Sequence, residues 1–273
     1  MTPSGPVLVL GATGTTGRRV GAALRTAGAG VRPASRSSPT RFDWTAAETW
    51  EPALDGVGAV YLMAPDGVAV DERFVRLAVA SGVRRIVLLS SDAVEEMGDA
   101  RLLDAERAVR ESGAEWTVLR PSWFDQDFDE GVFRDAVLAG ELALPLGDLR
   151  QAFVDADDIA AVAAAALTTD GHAGQTYQVQ GPRALSFAEA LALVSRASGR
   201  PVRFAGDPAE YRAAHLGYGR DEAEVDAELA AFAALRARGD DEPGDAVRRV
   251  TGRDPRSFED HVRAAAERGA WRG

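Results

Sequence analysis

Five short apolar runs divide the first 122 residues of the chain: VLVL (7–10), GVRPAS (30–35), AVYLMAP (59–65), RRIVLLSS (84–91) and WTVLRPS (116–122). Each is β-branched or leucine-rich and is bounded by Gly, Pro or Ser, the composition of a buried strand. Between them lie stretches with helical spacing. Val20, Ala23, Leu24 and Ala27 mark one, Phe74, Leu77 and Ala78 another, and Gly28 and Gly82 stand where helix C-caps belong. Strands that are apolar throughout and alternate with helices need cover on both faces. They predict an α/β fold, a doubly wound parallel sheet.

Beyond residue 122 the pattern changes. WFDQDFDEGVF is aromatic and acidic, and LALPLGDLR reads as a loop or short strand. FVDADDIAAVAAAALTT predicts a helix capped by Asp157 or Asp158, and QTYQVQGP (175–182) predicts a strand. Ser186 and Glu189 form an S-x-x-E capping box at the start of SFAEALALVSRASG. The last seventy residues are mostly helical in pattern and highly charged, and RGDDEPGD (238–245) reads as an exposed loop. The chain therefore reads as a single α/β domain, 1–273. Its nucleotide-binding core covers about 1–122 plus 151–182, and a smaller, mostly helical substrate lobe about 123–150 and 183–273. The lobe is expected over the C-terminal edge of the sheet, where open α/β sheets bind ligands.

The first run enters the turn VLVLGATGTTGRRV (7–20), with glycines at 11, 14 and 17. A glycine turn that follows a strand and opens a helix is the setting of a dinucleotide fingerprint. In that reading Gly11 permits the tight turn, Gly14 lets the backbone approach a pyrophosphate, and Gly17 brings helix and strand together. The helix N-terminus adds positive potential, and Thr13, Thr15 and Thr16 can add hydroxyl donors. The spacing is G-x-x-G-x-x-G rather than G-x-G-x-x-G. Nineteen positions beyond Gly17 stands Arg36, within ASRSS, and no acid occurs between Gly17 and Asp43. A carboxylate there would take the ribose 2′-hydroxyl of NAD, whereas a guanidinium beside Ser35 suits the 2′-phosphate of NADP. NADP is the expected cofactor.

Composition closes other routes. A net charge of -11, with basic residues scattered among acids, argues against nucleic acid and anionic membranes as partners and leaves a small-molecule substrate. There is no cysteine, hence no disulfide, thiolate nucleophile or Cys-ligated metal. All 31 basic residues are arginine, which reads as a codon preference and removes Schiff-base and P-loop lysines alike. His172, His215 and His261 are dispersed, show no metal spacing and read as surface residues, so no metal site is expected. MTPSGPVLVL is too short for a signal peptide, and the alanine-rich 159–167 is too short for a membrane span. A soluble cytoplasmic protein is expected; oligomeric state is not legible.

The motifs GATGTTGRRV, ASRSS, RRIVLLSS, AERAVRESGAEWTVLRPSWF, FVDADDIAAVAAAAL and YQVQGPRALSFAEALALVSRASGR stand in one order. In that order they resemble the NmrA-like group of atypical short-chain dehydrogenases, up to about residue 204. ASRSSPTRFDW, AVYLMAP, LRPSWFDQDF and TGRDPRSFEDHVRAAA are also similar to reductases of ergot alkaloid biosynthesis. The resemblance implies that Gly11, Thr13, Gly14, Thr15, Thr16 and Gly17 hold the pyrophosphate, and Ser35 and Arg36 the 2′-phosphate. It places Ala64 and Pro65 beside the riboses and Ser90 and Ser91 near the nicotinamide. Trp123, Phe124 and Asp127 belong to the loop that covers nicotinamide and substrate. Asp127 stands where the family commonly has asparagine.

That resemblance also exposes a loss. Typical short-chain dehydrogenases protonate their product with Tyr-x-x-x-Lys. Here the corresponding helix reads ARLLDAERAVRES, with Asp104 at the lysine place and Ala100 four residues before it. Hydride transfer does not need the dyad, because the cofactor carries that chemistry. An imine, an iminium ion or a conjugated electrophile in a small cyclic or aromatic metabolite needs least help. Asp92, Asp125 and Asp127 are candidates to favour such a cation, though each also reads as a helix cap or loop acid. Asp92 and Asp127 are the candidate catalytic residues. Two further readings stay open: a non-catalytic NADP sensor, and a quinone reductase.

Overall fold

The computed structural model describes residues 5–272. The first half alternates as the sequence predicts: β1 (Val7–Leu10), α1 (Thr15–Thr26), β2 (Val31–Ser35), β3 (Thr40–Arg41), α2 (Trp50–Leu54), β4 (Ala59–Leu62), α3 (Glu72–Ala80), β5 (Arg85–Leu89), α4 (Ala100–Arg110) and β6 (Glu115–Pro121). The second half carries α5 (Arg134–Ala139), β7 (Glu141–Ala143), β8 (Arg150–Gln151), α6 (Ala156–Thr168), β9 (Gln175–Val179), β10 (Leu185–Ser186) and α7 (Phe187–Ser198). It ends with β11 (Arg203–Ala205), α8 (Pro208–Gly217), α9 (Glu222–Arg238), α10 (Ala246–Thr251) and α11 (Phe258–Glu267).

Seven strands form one sheet in the order β3-β2-β1-β4-β5-β6-β9, parallel at every pairing. Alternate residues of each strand face opposite sides. Val9, Tyr61, Val87 and Leu119 meet α1 and α6 on one face, whereas Leu8, Val60, Ile86 and Leu88 meet α3 and α4 on the other. Full burial on both faces is why the strands read as unbroken apolar runs. A separate aromatic core, with Phe128, Phe133, Phe153, Phe187, Phe258 and Trp271, sits among α5, α7 and α11. Each such ring contributes about 1.5–3 kcal/mol by leaving water. No helix among the described residues is long and apolar enough to cross a membrane.

The chain turns as expected at Gly28 and Gly82, which follow α1 and α3 with φ of 77° and 97°. The Ser186–Glu189 capping box is present, Ser186 Oγ accepting from Glu189 N–H at 3.1 Å and Glu189 from Ser186 N–H at 2.8 Å. Helix α6, however, is capped by Asp155, which accepts from Asp157 N–H at 2.7 Å, and not by Asp157 or Asp158. The reason is that Val154 still bridges Phe124 in parallel, so the chain is extended up to the residue before Asp155. The 238–245 loop is not wholly exposed either. Asp241 is buried in it, accepting from Ala152 N–H at 2.8 Å and pairing with Arg238 at 3.1 Å.

Candidate active site

The sheet order reverses direction between β1 and β4, and a cleft of about 560 Å³ opens at the carboxyl ends of β1, β4, β5 and β6. This is the crevice that a doubly wound sheet offers to a ligand. The glycine turn forms one wall. Gly11 has φ of 62°, and a Cβ there would lie 2.4 Å from Met63 Sδ. A Cβ on Gly17 would lie 2.2 Å from the Gly11 carbonyl oxygen, so that position holds α1 against the turn. Gly14 is different: it is exposed, and an added Cβ would meet only the Gly11 oxygen at 3.3 Å. The space beside it is therefore open to a bulky group.

Helix α1 is suited to a phosphate. Its N-cap, Gly14, supplies no side-chain acceptor and its first turn carries no acid. The other described helices of nine residues or more are each capped by an Asp or Ser side chain. The first N–H groups of α1 thus lack the acceptor that the others have, and an anion placed there would satisfy them. Arg36 follows β2 with an exposed side chain and forms no ion pair among the described residues. Ser35 Oγ is engaged locally, accepting from Ser37 N–H at 3.2 Å and Ser38 N–H at 3.0 Å. Gly14, Thr15, Thr16, Ala64, Pro65, Ser90, Ser91, Asp92, Trp123, Phe124 and Asp127 all line the cleft; Gly11, Thr13, Gly17, Ser35 and Arg36 lie outside its lining.

The three candidate acids have three different fates. Asp92 lines the cleft, but Arg238 of α9 pairs with it at 2.9 Å and its own Oδ1 accepts from Ala93 N–H at 2.9 Å. Ala93 is the one described non-glycine residue with positive φ, at 52°, so the strand-to-loop turn here is strained. Asp125 points away from the cleft into a buried cluster described below. Asp127 is the cleft acid: partly buried, it accepts from Phe124 N–H at 3.2 Å. Burial pushes its carboxyl up to about 7, against the pull of that N–H, and Asp66, Asp129 and Glu130 add to the rise.

Apolar groups, among them Met63, Leu89, Val94, Met97, Leu102 and Leu235, share the lining with Trp123 and Phe124 and with the charged Asp66, Asp99 and Arg101. Trp123 is held by Phe133 and Phe187, each ring 5.6 Å away. Ser90 Oγ is not free, since it donates to the buried Glu106 at 2.6 Å. None of the chain's four tyrosines lines the cleft. Tyr61 is sealed in the core, Tyr177 bonds His172, Tyr211 bonds Glu228, and Tyr218 is 83% exposed. Sequence reasoning missed Arg238, Leu235 and Gln151, which also line the cleft. They come from distant α9 and β8, and no local signal marks them.

His261 corrects the expectation of surface histidines: it is buried, between Asp129 Oδ1 at 3.1 Å and Asp155 Oδ2 at 3.4 Å. Burial opposes its charge, but these carboxylates and Asp125 outweigh it and raise the imidazole to about 9. Burial likewise drives the carboxyl of Asp125 well above the ordinary range.

Residues 11–170 match the NAD(P)H-binding family. The chain is 36% identical to an NAD(P)H azoreductase of Xenophilus azovorans, over 95% of this chain and 98% of that protein. It is 31% identical to festuclavine synthase I of Penicillium roqueforti, over 92% and 95% of the two chains. Among solved structures, the NADPH complex of a quinone oxidoreductase from Escherichia coli superimposes with a TM-score of 0.74, at 20% identity over 94% and 98% of the chains.

Proposed function

The chain belongs to the NAD(P)H-binding family, and from that premise we propose that it is an NADPH-dependent reductase of a small cyclic or aromatic electrophile. The observation that carries this reading is the cleft itself, with Trp123, Phe124 and aliphatic side chains in its lining beside several acids, an open phosphate cradle at one end and no tyrosine. Bound NADPH supplies the hydride. The N–H groups of Thr15 and Thr16 and the space beside Gly14 would hold the diphosphate, and the Arg36 guanidinium would pair with the 2′-phosphate. Ala64, Pro65, Ser90 and Ser91, which line the same cleft, would flank the riboses and nicotinamide. Trp123 and Phe124 exclude water and orient a flat acceptor. Asp127 presents a carboxyl to the same space, where it favours positive charge on an imine or iminium acceptor. Asp92 contributes less field, because Arg238 offsets its charge.

A conjugated acceptor such as a quinone or an azo compound is the second reading. The azoreductase relative favours it, and such acceptors also need little acid assistance. The deciding experiment follows NADPH oxidation with a cyclic imine, a quinone and an azo dye in turn. Turnover of the imine above the other two supports the first reading, and turnover of the quinone or dye alone supports the second. Tight NADPH binding with no turnover of any class would instead indicate a cofactor sensor.

A further inference from the structure

Beneath the loop that carries Trp123 and Asp127, three buried side chains converge from three elements. Asp125 opens the short 3-10 turn Asp125–Phe128, Asp155 caps α6, and His261 lies in α11. One ligand atom from each falls within 4.8 Å of the others. We propose that Asp125, Asp155 and His261 bind a divalent transition-metal cation, with Zn²⁺ the best match, that clamps this loop to α6 and α11.

Asp125 is the observation that points to a ligand. It is 0% exposed, and neither carboxylate oxygen has a hydrogen-bond partner among the described residues. Its backbone N–H, by contrast, is satisfied by the Val154 carbonyl at 2.9 Å. An ionised carboxylate without partners in the interior costs several kcal/mol. As they stand, both oxygens of this buried carboxyl lack a hydrogen-bond donor among the described residues. A cation resolves it in one step.

The neighbours are arranged as such a site requires. Asp129 accepts from His261 Nε2 at 3.1 Å and is itself held by Arg268 at 3.2 Å. That leaves Nδ1 turned toward Asp155 and Gln126, and reproduces the carboxylate–histidine–metal order in which an outer carboxylate orients the ring. The amide of Gln126 is fixed by Ala156 N–H, which donates to its Oε1 at 2.7 Å. A polar cavity of about 370 Å³ is bordered by Asp155, His261 and Gln126, with Arg19, Arg256 and Arg268 also in its lining, and offers an approach to that side of the cluster and a place for a water ligand. Two carboxylates and one imidazole, without sulfur, suit Zn²⁺ or Mn²⁺ rather than Cu⁺, and the nitrogen argues against Mg²⁺ and Ca²⁺. A metal ligand must be deprotonated, so any proton held on Nδ1 of His261 or on Asp125 would be released to solvent on binding.

The test uses the full chain, stripped with a chelator and titrated with Zn²⁺, with metal content and melting temperature as readouts. Saturation at a single Zn²⁺ per chain with a rise in Tm is the expected result, and Co²⁺ should give a visible absorption band of an N/O donor set. Asp125→Asn and His261→Gln should each weaken binding by at least about 10–100-fold. Should both fail to fold, Asp129→Asn, which removes only the group orienting the imidazole, is expected to weaken it by about 10–100-fold. Absence of saturable binding overturns the proposal. So does binding that these variants leave unchanged, since it would then belong to surface carboxylates of an acidic chain.

Discussion

Replacing Glu106 by glutamine should loosen the whole cofactor edge of the sheet. Glu106 is 0% exposed and takes Ser90 Oγ at 2.6 Å, Arg120 Nε at 2.8 Å and Nη2 at 2.7 Å, and Arg110 at 2.7 Å. It therefore ties the end of β5 and the body of β6 to α4. Glutamine keeps the volume but removes the charge, and turns an NH₂ toward a guanidinium. Removing one member of a buried pair costs about 3–5 kcal/mol. Arg120 keeps Glu95 as a second partner at 2.7 Å, so the lower end, about 3 kcal/mol, is the expected loss. For a chain of this size that is a fall in Tm of about 6–12 °C, measurable by calorimetry. Burial alone would raise the Glu106 carboxyl, but Arg120 and Ser90, with Arg110, hold it below its ordinary value. A depressed folded pKa adds stability above the unfolded pKa of about 4.3, and that stability is lost as pH falls through the folded value. The Tm gap between wild type and Glu106→Gln should thus be full at about pH 7 and shrink below about pH 4. A gap under about 1 kcal/mol at neutral pH, or one that does not change in acid, would refute this account of the pair.

Arg36→Ala should cost NADPH about 1.5–3 kcal/mol of binding and leave NADH nearly unchanged, read by fluorescence titration; equal losses would make Arg36 structural. Gly14→Val should remain folded and lose cofactor affinity, whereas Gly17→Ala, whose Cβ would sit 2.2 Å from a backbone oxygen, should lose stability as well; circular dichroism melts beside the titration separate the two. Asp127→Asn should lower kcat by about 10–1000-fold with NADPH affinity kept, and single-turnover kinetics showing full-rate hydride transfer would remove Asp127 from the mechanism. Tyr61→Phe should leave activity and Tm within error, since its buried hydroxyl makes no well-formed hydrogen bond among the described residues beyond a long approach to Thr16, and a large loss of turnover would mean that this tyrosine acts as an acid after all.

The parts legible in the sequence are those whose cause is local. VLVL, AVYL and RIVLL declare themselves as strands because both of their faces are buried, and the Ser186–Glu189 box because it spans three residues. Gly11 and Gly17 were legible as a pair because one turn imposes both. The rest depends on long-range placement. Asp92 is offset by Arg238, 146 positions away, and His261 is buried by Asp129, 132 positions away. Nothing near either residue signals its partner. The α6 cap moved to Asp155 for the same reason, since the Phe124–Val154 bridge decides where the chain stops being extended. Asp127 is legible through its loop, but its separation from Asp125 depends on the 3-10 turn Asp125–Phe128, in which successive side chains lie about 120° apart.

The late arrival of β9 has a cost during synthesis. Strand β6 can pair with β5 as soon as both have left the ribosome, but its other edge waits for Gln175–Val179, more than fifty residues downstream. At about 5–20 residues per second that edge stays open for roughly 3–10 s on the nascent chain. It presents Val118 and Leu119, both destined to be fully buried, together with an unpaired row of backbone donors and acceptors. Such an edge is a template for pairing with another chain. Crowded translation should therefore harm the yield of this protein most in the interval before residue 179 emerges, and slowing synthesis ahead of that point should lengthen the exposure rather than help.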